Sequence, residues 1–187
     1  MENNKQWWES SEVTEGSTND FYEVKVGDQK LRILTKFERV LILYKGVFPN
    51  SKYVGQVDDS YKPAPDESVT LQGWAWGIVR ETGEMKILQF GKSILQKITT
   101  LKNNPEYKFE GFPMLYDITL SNTGDGPNRY SITPARQNTD ITSEEMEKLN
   151  KVKPIAEIIT KIRNKQDEKA NPSKPVEYPK SDGQPTF

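Results

Sequence analysis

Between residues 70 and 101 the hydrophobic period of the chain changes from that of a strand to that of a helix. Over residues 70–80 large and small side chains alternate. Trp74, Trp76, Ile78 and Arg80 fall on one side of an extended strand, and Gly73, Ala75, Gly77 and Val79 on the other. Glu81-Thr82-Gly83-Glu84 is a short connection containing a glycine, and residues 85–90 are a second run of strand formers, so the pattern predicts a hairpin. From Gly91 the spacing becomes helical, with Ile94, Leu95, Ile98 and Leu101 on one stripe, Ser93 as the expected N-cap and Asn103-Asn104-Pro105 as the stop.

The same reading extends in both directions. Residues 30–37 alternate Leu31, Ile33 and Thr35 with Arg32, Leu34 and Lys36, so one side is core and the other presents cations. Residues 39–48 are almost continuously apolar, as in a strand buried on both faces or a long bent one shared between two sheets. Residues 50–68, with their prolines, acids, Tyr53 and Tyr61, read as a long loop. Residues 114–121 alternate again, the cluster 122–128 is a strong turn, and 129–133 returns as a strand. The expected fold is therefore mainly β: an OB-fold-like Greek-key barrel of five to six strands, with a helix inserted between the third and fourth. Two helices follow. One is opened by Thr142-Ser143-Glu144-Glu145, and the other carries Ile155, Ile158, Ile159 and Ile162 after Pro154.

This divides the chain into a flexible acidic arm (1–20), a barrel (21–137), a helical extension packed on it (138–166) and a mobile tail (167–187). Charge follows the same division. Formal net charge is −1 overall but −4 over residues 1–20, +3 over 21–137 and 0 beyond. The barrel is thus mildly basic, and only clustering on one face would make it a polyanion site. The chain has no cysteine and no histidine, which removes thiol nucleophiles, histidine acid–base pairs and Cys/His zinc sites. Asp58-Asp59 and Asp66-Glu67 sit in a loop without the clustering a metal-dependent nuclease needs. No enzyme activity and no cofactor is expected. No apolar run approaches the length that spans a bilayer, about 18 residues. The expectation is a cytosolic protein with no membrane partner.

The order FYEVKVGDQKLRIL, WAWGIVRE, MKILQFGKSILQKITTL, YDITLSNTGDG and RYSITP, over residues 21–134, resembles the single-stranded DNA-binding proteins of tailed bacteriophages and their prophage relatives. The resemblance implies an OB-fold that coats unwound DNA in the host cytoplasm during replication or recombination, without catalysis. Some relatives carry a zinc module in the barrel insertion, but residues 49–68 hold neither cysteine nor histidine. Relatives also commonly end in an acidic tail that recruits replication proteins. Here the tail is charge-balanced, leaving the acidic N-terminal arm as the candidate for meeting such partners.

Binding single strands without sequence preference needs cations that follow phosphates and aromatic rings on which bases stack, at about 1–3 kcal/mol each. The residues of the right type are Arg32, Lys36, Lys45, Trp74, Trp76, Arg80, Lys86, Arg129 and Tyr130, with at least one tryptophan expected in solvent. Phe37 and Tyr44 are expected in the core, and Asp117 is expected to stabilise its turn. The same barrel type also serves RNA, oligosaccharide or protein partners, and salt dependence separates phosphate binding from the others.

Overall fold

The computed structural model describes residues 20–47, 50–126 and 128–170. The acidic arm before Asp20, with Trp7 and Trp8, and the tail beyond residue 170 lie outside the described residues. The elements are β1 (Phe21–Tyr22), β2 (Gly27–Ile33), β3 (Glu38–Lys45), β4 (Lys52–Val57), β5 (Glu67–Val79), β6 (Glu84–Gly91), α1 (Lys92–Asn103), β7 (Ile118–Asn122), β8 (Tyr130–Pro134), α2 (Ser143–Lys151) and α3 (Ile155–Ala170). No helix among the described residues is long and apolar enough to cross a membrane.

The strands form one mixed sheet in the order β1-β6-β5-β2-β7-β8, with β3 beside the N-terminal half of β5 and β4 outside β3. Among the described residues every pairing is antiparallel except that of β1 with β6. The run β6-β5-β2-β7-β8, with α1 between β6 and β7, follows the strand order of the expected Greek-key barrel, left open between β6 and β8.

There are more strands than the five to six expected, for three reasons. The first barrel strand breaks at residues 34–37, where the Leu34 amide donates to the Trp76 carbonyl (2.8 Å) and the chain moves from one half of β5 to the other. Phe21–Tyr22 adds a short parallel strand at the β6 edge. Strand β4 forms inside the stretch expected to be a loop, because Tyr53, Val54 and Val57 meet an unpaired β3 edge that proline counting does not reveal. The inserted helix also starts differently: Gly91 is its N-cap, with no side-chain cap, and Ser93 lies inside it.

The β5 alternation is observed, and it separates two cores. On the inner side Leu31, Ile33, Ala75, Leu88, Phe90, Ile118 and Leu120 pack with Ile94, Ile98 and Leu101 of α1. Gly77 belongs to this side because the sheet closes tightly there: a Cβ would collide with Leu88 and lie 2.9 Å from the Arg32 carbonyl. On the outer side Val40, Ile42, Trp74, Trp76, Ile78 and Ile87 form a second apolar face. Such a face is too large to leave in water. It is covered by Ile155, with Leu149, Val152, Ile158, Ile159 and Ile162 around it. Helix α2 is set by a complete capping box between Thr142 and Glu145, and α3 continues to Ala170, past the expected end of the helical extension.

Candidate nucleic-acid interface

The two tryptophans expected as stacking platforms are core residues. Trp74 is 4% and Trp76 6% exposed. Trp74 stands edge-on to Phe21 (5.4 Å between centroids) and its Nε1 donates to Gln72. Trp76 Nε1 donates to the Lys153 carbonyl (3.0 Å), in the link between α2 and α3. The alternation that separates large from small residues is equally compatible with a large side facing solvent or a packed helix, and here it faces helices.

Arg32 and Arg80 are not available to phosphate either. Arg32 Nε lies 2.6 Å and Arg80 Nε 3.0 Å from Oδ1 of Asp117, which is fully buried. Lys30 approaches Oδ2 at 3.5 Å, and the Thr139 amide donates to the same oxygen at 3.0 Å. The guanidinium groups go on to the Thr139 carbonyl (2.9 and 2.7 Å), and Arg80 reaches Glu145 of α2 at 3.1 Å. Burial pushes the Asp117 carboxyl up, but the Thr139 amide, the hydrogen bonds from Arg32 and Arg80 and the Arg32 charge outweigh it and hold the group below its ordinary value. This hub locks β2, β5 and the segment before β7 to the start of the helical extension. Asp117 is thus structural, and its reach is longer than the adjacent turn.

Of the remaining candidates, Lys86 is largely buried and pairs with Glu84 (3.5 Å) on the β5–β6 hairpin. Lys36 is exposed beside Glu38 (3.2 Å), and Lys45 beside Asp66 (3.5 Å). Arg129 is exposed at the β7–β8 turn, its guanidinium 4.8 Å from the centre of the Tyr130 ring. That turn depends on Gly124 and Gly126, both at positive φ (91° and 86°).

The inner face of β3, β4 and the first half of β5 brings together residues the sequence leaves apart. Residues opposite one another in antiparallel strands share a face. Arg39 is therefore grouped with Gly73, Leu41 with Leu71 and Val57, Leu43 with Val69, and Lys45 with Glu67 and Lys52. Gly73 identifies this as the inner side, since a Cβ there would lie 2.8 Å from Leu95 of α1. The result is an apolar floor rimmed by Arg39, Lys45 and Lys52.

Strands β4 and β5 flank β3 and both run antiparallel to it, so residues 58–66 must cross β3. Helix α3 packs on its outer side, and the crossing is on the inner one. There Asp59 takes both carboxylate oxygens to Arg39 Nη1 (2.5 and 2.7 Å), and Glu67 accepts from Tyr61 Oη (2.7 Å) and the Ala64 amide (2.9 Å). The Ala64 amide and the Tyr61 hydroxyl hold the Glu67 carboxyl below its ordinary value. Leu43, on this face, belongs to neither core yet is 4% exposed.

Sequence reasoning misses Arg39, Lys52 and Tyr61. Arg39 lies two and four residues before Leu41 and Leu43 and so shares their face, a signal that is legible. Lys52 stays hidden because neighbouring prolines and acids disguise β4 as loop, and Tyr61 because spacing does not show where a loop residue lies. Among the described residues no group of three or more acidic side chains is placed to share a metal ion. No family model, no curated protein and no solved structure matches the chain.

Proposed function

We propose that this protein binds single-stranded DNA without sequence preference and without catalysis, coating unwound DNA in bacteriophage or prophage replication or recombination in the bacterial cytoplasm. The observation that carries the reading is where the exposed cations and rings stand. Barrels of this class hold oligonucleotides with the loops joining their first to second and fourth to fifth strands. In this chain those connections are residues 46–66 and 123–129. Lys45 and Lys52, with Arg39 beside them and Tyr61 within, line the first, and Arg129 stacked on Tyr130 closes the second. The resemblance of the motif order to that of phage single-strand binders supports the same reading. The covered tryptophan face is left out of the site.

Titration with an oligo-dT at low and high salt tests this. Binding is expected to weaken steeply with salt, and Lys45→Ala with Arg129→Ala is expected to lower the log–log slope by about 0.7 for each phosphate that is no longer neutralised. Fluorescence from Trp74 and Trp76 is expected to change little, since both are enclosed. Absence of binding at low salt would exclude the function, and binding insensitive to salt would point to an uncharged ligand.

A further inference from the structure

We propose that residues 58–66 form an acidic strap that competes with single-stranded DNA for the inner face of β3, so that the protein carries its own competitive ligand. The inference rests on the DNA-binding reading above. Asp59 grips Arg39 with both oxygens on one guanidinium nitrogen, and Asp66 stands 3.5 Å from Lys45. These carboxylates occupy positions on the cations that phosphate oxygens would take. Tyr61 is tied by its hydroxyl to Glu67 (2.7 Å), the cross-strand partner of Lys45, so an aromatic ring stands in the same segment as the carboxylates. Charge and chemistry of the occupant are thus those of an oligonucleotide: anions on the rim cations and an aromatic ring in the same segment.

The strap is also built to be replaced. Arg39 and Asp59 are 58% and 72% exposed at their side chains, so exchanging a carboxylate for a phosphate there requires little new desolvation. Both ends of the strap are continuous with strands, so it swings aside without leaving and re-forms whenever DNA dissociates. A tethered competitor acts at high local concentration, lowering affinity at every DNA concentration. The tryptophan face offers no such exchange, because its cover is apolar and closed by buried ion pairs.

The test compares wild type, Asp59→Asn/Asp66→Asn and a charge control, Glu144→Gln/Glu147→Gln on exposed positions of α2, in oligo-dT titrations at low salt. Removing two surface ion pairs is expected to tighten binding about tenfold in the strap variant, with the control close to wild type. Amide exchange at Ala64, whose N–H is held by Glu67, is expected to accelerate in wild type when DNA saturates it. If wild type binds but the strap variant binds equally or more weakly, or the control gains as much, or Ala64 exchange slows on binding, the strap is not a competitor and the DNA-binding reading stands. If wild type and strap variant both fail to bind, the DNA-binding reading itself falls.

Discussion

The β3–β5 region is covered on both faces, and the two covers are made of different physics. On the outer face helices α2 and α3 lay an isoleucine stripe over Trp74, Trp76, Val40 and Ile42, and the seam is closed by Asp117 with Arg32 and Arg80. On the inner face a short crossing segment is held by an exposed Arg39–Asp59 pair and a Tyr61–Glu67 hydrogen bond. Opening the first would return several large side chains to water at about 1.5–3 kcal/mol each, an amount comparable to the whole stability of a domain. Opening the second breaks surface interactions worth about 0–1 kcal/mol apiece. The outer cover is therefore part of the fold, and the inner one is weakly enough held to take part in the binding equilibrium proposed above.

This contrast can be broken by mutation, and the largest effect belongs to the outer side. Trp76→Ala is expected to destabilise the protein by about 3–5 kcal/mol, the range for deleting a buried aromatic, as measured by denaturant unfolding. DNA affinity of the fraction that remains folded is expected to be unchanged. A fully folded Trp76→Ala protein that no longer binds DNA would move the binding site to the outer face.

Asp117→Ala comes next, since it strands two buried guanidinium groups, a cost of about 3–5 kcal/mol. The pH dependence has a definite sign. The native carboxyl lies below its ordinary value of 3.8, so the folded protein holds this proton less tightly than the unfolded chain. The contribution of the hub is fully present above 3.8 and is lost as pH falls through the lower, native value. Stability measured from pH 5 downward is expected to drop in wild type, with this component missing in the variant. A wild-type profile that stays flat to pH 2 would remove the hub from the account of the outer cover.

The smallest stability change is expected on the inner side. Arg39→Ala should alter unfolding free energy by less than about 1 kcal/mol while weakening oligo-dT binding and reducing its salt slope. A large drop in stability in this variant would make the inner cover structural and erase the distinction between the two faces.

The fate of eight of the nine predicted site residues follows from the same distinction; the ninth, Lys86, is largely buried on the β5–β6 hairpin. Arg32, Arg80, Trp74 and Trp76 share the outer face of β2 and β5, as their spacing requires, but spacing does not say whether that face is wet or covered, and the cover removes all four from the site. Lys36, Lys45, Arg129 and Tyr130 stand at loops or strand ends, outside the two cores' buried residues, and remain candidates. Spacing alone puts Arg39 on the face of Leu41 and Leu43, but its register with Gly73 and its pairing with Asp59 are long-range relations.

By itself the sequence determined what short-range rules can reach. Period-2 alternation set the two faces of β5, the glycine turns set the β5–β6 and β7–β8 hairpins, and the Thr142–Glu145 box and the isoleucine spacing set the C-terminal helices. Only the tertiary structure decided which face of the sheet those helices would cover, that β3 would recruit β4 out of a proline-rich stretch, and that the returning chain would cross the inner side. The reason is physical. Alternation says that two faces differ, but what lies against each depends on segments far along the chain, such as Ile155 over Trp76. Their mutual burial is a sum over the whole fold rather than a property of either stretch.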